Sequence, residues 1–266
     1  MTRRKTIVGL CLLCALAASA LAAQGASASK GTTAFTCKKT EKGGAGFSKA
    51  HCKAADAVGS GAAYEHVAIA EGTQTEISGT NEKTGSNTES TPSVKLKNTL
   101  AGVTYEVNVG KVSGLGTVTN AKDPETGEHY VHGTAKVTFE ELTLNPSSCK
   151  VEGGKITSKE LKVTTKGQGD FVKFEPAEGN VLTEYTITGC PELNATWKMY
   201  GTVKCPADGA TVICTHNTLT SEKTLREGSP VGAISGIEGS MTLSAKDPTA
   251  GDKEFTALSA TTVETP

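Results

Sequence analysis

Aromatic side chains are scarce in this chain, which holds one tryptophan, five tyrosines and six phenylalanines among 266 residues. Aromatics dominate core burial, so few are left for a broad stacking surface. Helical periodicity is missing as well. Beyond the N-terminal stretch, no run of ten or more residues spaces apolar side chains three and four apart, which excludes a helical body. After residue 28 no apolar run approaches the ~20 residues that a membrane-spanning helix needs. Neither sign of charge dominates, with 27 basic against 28 acidic residues. A basic face is the footprint of nucleic-acid binding, so nucleic acid is not an expected partner.

What the chain does have begins at Met-Thr-Arg-Arg-Lys, an apolar run from Ile7 to Ala18, and small residues at Ala20-Leu21-Ala22 and Ala26-Ser27-Ala28. Residues 1–28 read as a secretory signal peptide. Thr6 stands where a twin-arginine signal needs a hydrophobic residue. Leucines precede Cys11 and Cys14 where a lipoprotein signal needs a small one, so the general secretory route is expected. Without this segment 24 basic and 28 acidic residues remain, a formal charge near −4.

The remainder echoes itself. Val109 to Tyr130 and Val231 to Phe255 share Val-Gly, an aliphatic residue before Ser-Gly (Val112-Ser113-Gly114 and Ile234-Ser235-Gly236), and Ala-Lys-Asp-Pro-x-x-Gly. Two matching blocks in one order indicate an internal repeat. Each copy reads as a β-hairpin. Asp123-Pro124 and Asp247-Pro248 set a turn in which the aspartate bonds to amides ahead of it, and Gly127 and Gly251 supply positive φ. Return strands are expected from Tyr130 and Phe255.

Strand signals fill both sides of the repeat. Val94 to Leu100 and Val103 to Val109 alternate cleanly around Ala101-Gly102. Ala62 to Ile69, Thr73 to Ile77, Ala135 to Phe139, Leu161 to Val163, Phe171 to Phe174, Val181 to Ile187, Trp197 to Val203 and Val212-Ile213 add further short strands. Ser78 to Ser93 is polar and is expected to be a loop. Many short strands between Gly, Pro, Asn and Asp turns predict an all-β fold, a β-sandwich or barrel-like antiparallel arrangement with two related halves, 29–145 and 146–266.

Six cysteines follow the signal segment, an even count that in an exported chain implies disulfides. Aligning the halves pairs Cys37 with Cys52 and Cys149 with Cys190, which leaves Cys205 with Cys214 across a turn at Pro206 to Ala210. No two cysteines have the close separation of a zinc knuckle, so no metal is expected there.

The segments Phe35-Thr36-Cys37, His51-Cys52, Tyr64-Glu65-His66-Val67, Cys149-Lys150-Val151, Lys173-Phe174-Glu175-Pro176 and Cys205-Pro206-Ala207-Asp208-Gly209 span nearly the whole chain after residue 28. On these the chain resembles a group of uncharacterised exported proteins of soil-dwelling, high-GC Gram-positive bacteria. The resemblance implies export and no particular activity.

Few residues offer chemistry. His129 and His132, three apart on a strand, point to opposite faces and cannot share one ion. Ser113 and Ser235 sit in Gly-x-x-Ser-Gly, which lacks the spacing and the strand-to-helix context of a nucleophile elbow. Asp123, Glu125 and Glu128, with Asp247, Asp252 and Glu254, gather carboxylates at each repeated turn without calcium-loop spacing. His51, His66 and His216 would need partners assembled in space. Trp197, Tyr185 and Tyr200 are the candidates for a sugar-stacking surface, set against their use as core filling. The expectation is a secreted, disulfide-stabilised binding or structural module without a cofactor or catalysis, at or outside the cell envelope, with cell-envelope or extracellular polysaccharide as the partner class considered. The alternative is an extracellular hydrolase of a polysaccharide or other polymer.

Overall fold

The computed structural model describes residues 31–262, apart from 42, 51, 54–55, 82–93, 101–102, 146, 169–170, 191–192, 209–210, 215–222, 227–231 and 247–254. Of 97–100, 103–105, 207–208, 211–214, 223–226, 232–238, 240, 246, 255–257 and 259–262 it describes the backbone alone. The expected signal segment, the Ala101-Gly102 turn, His51, His216 and the second aspartate-proline turn therefore lie outside the described residues.

The described chain is all β, with a 3-10 turn at Glu152–Gly154. The N-terminal strands are β1 (Thr32–Lys39), β2 (Gly46–Phe47), β3 (Ala57–Val58) and β4 (Tyr64–Ala68). There follow β5 (Thr75–Thr80), β6 (Val94–Leu100), β7 (Val103–Lys122) and β8 (His129–Leu144). Shorter strands come next: β9 (Lys150–Val151), β10 (Ile156–Thr157), β11 (Leu161–Thr164), β12 (Phe171–Pro176) and β13 (Val181–Thr188). The chain ends with β14 (Ala195–Tyr200), β15 (Val203–Asp208), β16 (Thr211–Cys214), β17 (Lys223–Arg226), β18 (Gly232–Lys246) and β19 (Phe255–Thr262).

Both repeated stretches are antiparallel hairpins. Lys122 pairs with His129 across β7 and β8, and Lys246 pairs with Phe255 across β18 and β19. In the first turn the Asp123 carboxylate accepts from the Glu125 and Thr126 amides at 2.8 and 3.0 Å, and Gly127 has φ 72°. The long strands β7 and β18 flank β5 and β6, which lie end to end between them.

Following hydrogen-bonded neighbours shows how the sheet curls. From β18 the ladder passes to β5, β7, β8, β11, β12, β15 and β16, and β16 pairs back onto β18. This antiparallel circuit has eight members, the number at which a barrel interior is just filled by side chains or holds one small ligand. A second circuit uses the other ends of the long strands, through β6, β7, β8, β10, β13, β14 and β17. It closes between β10 and β13 through the Ser158–Thr183 bridge.

The two circuits meet at a kink. Val107 and Val109 are buried on β7, but further along the buried positions are Val112 and Val118, so the inward face changes from odd to even numbers. At the same level on β8, Glu141 takes φ 55° opposite Gly110. A β-carbon on Gly110 would come within 2.9 Å of the Glu141 β-carbon, so glycine is required there. The register of β7 with β8 is the same on both sides of this level, so the two strands kink together without a bulge. Asn81 closes the gap that the kink leaves between β5 and β6. Its side chain accepts from the Val112 amide at 2.7 Å and donates to the Gly110 carbonyl at 3.1 Å.

The ends of the body are packed. One end holds Leu96, Val107, Ile156, Tyr185, Ile187 and Trp197, with the Cys149–Cys190 disulfide beside them. The other holds Ala34, Ile69, Ile77, Val118, Val131, Ala245 and Leu258. There the buried Asn120 side chain donates to the Ala34 and Ile69 carbonyls at 2.9 and 2.8 Å and accepts from the Ala34 amide at 2.8 Å.

One expectation needs correction. Ser78 to Thr80 are not loop but the last residues of β5, paired with β7 on one side and β18 on the other. Small residues suit that crowded position, which is why the segment looks like a loop in sequence. The Ser29 to Val58 region contributes a full strand, β1, which pairs with β19 and β4.

Candidate apolar binding site in the barrel interior

Inward-facing residues of the first circuit are aliphatic, aromatic or glycine: Ile77 and Gly79 on β5, Gly114 and Val118 on β7, Val137 and Phe139 on β8. Opposite strands add Leu161 and Val163, Val172 and Phe174, and Val203. Alternation on each strand sends every second side chain inward, so this lining follows from the strand periodicity itself. Among the packed side chains it leaves two adjoining hollows of about 90 and 50 Å³, the second walled by Ala34, Ile77, Val118, Val131 and Leu258 of the end described above. Val137, Phe174 and Met241 belong to the walls of both.

Among the described residues no ionisable side chain lines either hollow apart from Cys205, which is disulfide-bonded. Three of the four hydroxyls on the described walls are engaged: Ser158 accepts from the Val137 amide at 2.9 Å, Thr183 donates to the Thr157 carbonyl at 2.9 Å, and Thr165 accepts from the Val131 amide at 2.9 Å, while Ser78 is the fourth. The interior therefore suits an apolar guest better than a polar one, which would lose its water for few partners. Comparison with known proteins does not assign one. No family model, curated protein or solved structure matches the chain.

The residues singled out from sequence lie elsewhere. Tyr185 and Trp197 are register partners on β13 and β14, and both are buried. The Trp197 indole donates to the Leu193 carbonyl at 3.0 Å. Tyr200, further along β14, is half-buried. The three do not form an exposed stacking platform. His129 and His132 fall on opposite faces of β8, and Ser113 lies inside a ladder between Thr80 and Thr138. Among the described residues no cluster of histidine, cysteine, aspartate or glutamate is arranged to hold a metal ion.

Asp123 is committed to its turn. Besides the two amides, it forms an ion pair with Lys166, whose ammonium lies 5.2 Å from the Tyr130 ring centroid. The Lys166 contact and the amides hold its carboxyl well below the usual carboxylate range. The same contact raises Lys166.

Three of the quoted segments do converge, near the N-terminal end of the described chain. Cys37 is bonded to Cys52, and Cys37 stands opposite His66 on β4. The His66 ring lies 5.1 Å from Phe35 and 4.3 Å from Phe47, centroid to centroid. Its Nε2 is buried without a hydrogen-bond partner. Burial holds this imidazole below its ordinary value, partly offset by a hydrogen bond to the Cys52 backbone. The patch is a small second core: a disulfide and three rings where sequence offered little apolar material.

The Cys149–Cys190 pair is present as well. Cys205 is in a disulfide. β15 pairs with β16 through Ala207 opposite Val212 and Asp208 opposite Thr211, and the side chain of Cys214, the expected partner, lies outside the described residues. The hollow interior went unrecognised in sequence because its lining is ordinary aliphatic alternation. The glycines at Gly79 and Gly114 on neighbouring strands were the available signal, since they leave room on the interior wall for the Met241 side chain.

Proposed function

We propose that this is an exported binding protein that takes a small apolar ligand inside its barrel, at or outside the cell envelope. The observation that carries the reading is apolar space left among the core clusters: two hollows lie between their side chains, with no charge on the described walls. Empty, well-formed apolar cavities bind apolar molecules, as a ~150 Å³ engineered cavity binds benzene. Export is supported by the N-terminal segment 1–28, by the resemblance to exported proteins, and by disulfides, which persist in oxidising compartments. The internal repeat fits a body whose two long hairpins flank a shared pair of strands. Binding is favoured over hydrolysis of a polymer because the lining offers no general acid or base. Polysaccharide stacking has less support, since Tyr185 and Trp197 are buried.

The test is titration calorimetry of the oxidised protein, purified from culture medium, with 1-octanol. Saturable binding with a negative heat-capacity change is expected, the signature of apolar burial. No saturable binding, together with retention on cell-wall polysaccharide, would overturn the reading.

A further inference from the structure

Met241 occupies the one place common to both hollows at which the wall has been cleared for it. A β-carbon on Gly79 would lie 2.6 Å from the Met241 sulfur, and one on Gly114 would lie 3.4 Å from it. Gly79 and Gly114 face each other across β5 and β7, while Met241 belongs to β18 on the far side of β5. The methionine side chain thus reaches from its own strand over β5 toward β7, lying in a trough of two glycines. Methionine is unbranched and has three rotatable bonds, which suits a side chain that must lie flat or lift.

Resting on the binding function proposed above, we infer that Met241 sets the neck between two lobes, and that the guest is one slender, unbranched apolar chain threaded past it. Each lobe, at about 90 and 50 Å³, is smaller than the ~150 Å³ cavity that accepts a benzene ring. A slender chain is the guest that two such lobes, meeting at Met241, Val137 and Phe174, can share. The polar end of such a chain is poorly served inside, because the described walls hold no charged group and three of their four hydroxyls are already bonded.

Two substitutions move the neck in opposite directions. Met241→Ala removes the partition and joins the lobes. Gly79→Ala, at ordinary backbone φ, drives Met241 off the wall and into the passage. The probes are straight 1-alkanols of increasing length and cyclohexanol, measured by calorimetry on the full oxidised protein. In the wild type each added methylene should tighten binding roughly three- to fourfold until both lobes are filled, as expected from ~0.8 kcal/mol per buried methylene. Cyclohexanol should bind at least ~10-fold more weakly than 1-hexanol, given the lobe sizes. Gly79→Ala should stop the gain at a shorter chain, and Met241→Ala should admit cyclohexanol. If Gly79→Ala does not fold, Met241→Trp plugs the same passage without touching β5. Wild-type binding without length dependence, or variants that keep the wild-type length profile, would refute the neck and leave a binding protein. No binding of any alkanol to the wild type would remove the binding function itself.

Discussion

Asn120 and Asn81 are side chains that stand in for backbone. Each lies where a strand ladder is interrupted, and each offers a donor and an acceptor to main-chain groups that would otherwise be buried unpaired. Leaving one buried polar group unsatisfied costs about 1–3 kcal/mol. Replacing Asn120 by leucine strands the Ala34 amide and the Ile69 carbonyl, while the Ala34 carbonyl keeps the Ile69 amide. Urea unfolding should show a loss of at least ~2 kcal/mol. Thr117→Val, which removes only the Thr117–Thr134 hydroxyl contact at 3.3 Å, should cost about 1 kcal/mol or less. Equal losses in the two variants would contradict this role. His66 makes a different demand. Because burial lowers its pKa, the folded protein protonates later than the unfolded chain as pH falls. The associated stability is complete above the ordinary histidine value of 6.5 and is lost as pH drops through the lower folded value. Unfolding midpoints should therefore fall as the pH is lowered below 6.5 in the wild type, and less so in His66→Phe, which keeps the ring stack. A pH profile unchanged by the substitution would show that His66 titrates freely.

Cystines act on elements rather than on single contacts. Cys37–Cys52 closes a separation of 15 residues and ties β1 to the segment before β4, whereas Cys149–Cys190 closes 41 and joins the entry of β9 to the end of β13. Loop-closure entropy grows with the logarithm of length, so the longer loop should be worth more by about 0.9 kcal/mol, on a base of roughly 3 kcal/mol. Paired cysteine-to-alanine variants, compared by denaturant unfolding, should rank in that order. The reverse order would mean that the aromatic patch around His66 depends on its disulfide for more than chain entropy. Strand identity at this scale was legible wherever a side chain alternates between core and solvent, as from Val94 to Val109 and from Val181 to Ile187. It was obscured in β1 and at the end of β5. Ala34, Thr36, Ser78 and Gly79 are small because a third strand or the Met241 side chain crowds them, and small residues give no periodic signal.

For the molecule as a whole, the pairing of distant strands was not legible. Alternation says that a strand exists and which face is apolar, but nothing in Thr32–Lys39 names Phe255–Thr262 as its neighbour. Nor did the chain announce that β16 returns to β18 and closes a circuit, since closure is a property of all eight members together. The interior site was hidden for the same reason: each lining residue is unremarkable alone. This long-range connectivity sets the kinetics. Sheets dominated by non-local pairing fold in milliseconds to seconds or slower. Stopped-flow refolding of the oxidised protein should be slow, and a chain truncated after residue 254 should lose cooperative unfolding. Cooperative unfolding retained after that truncation would mean that β19 is an accessory rather than part of the body.

The pairing of β1 with β19 also carries a cost at birth. On the ribosome, Thr32–Lys39 emerges more than two hundred residues ahead of its mate. At ~5–20 residues per second the wait is on the order of tens of seconds, with a bare hydrogen-bonding edge open to any passing chain. A nascent polypeptide in that position needs an escort, or passage to another compartment before it folds.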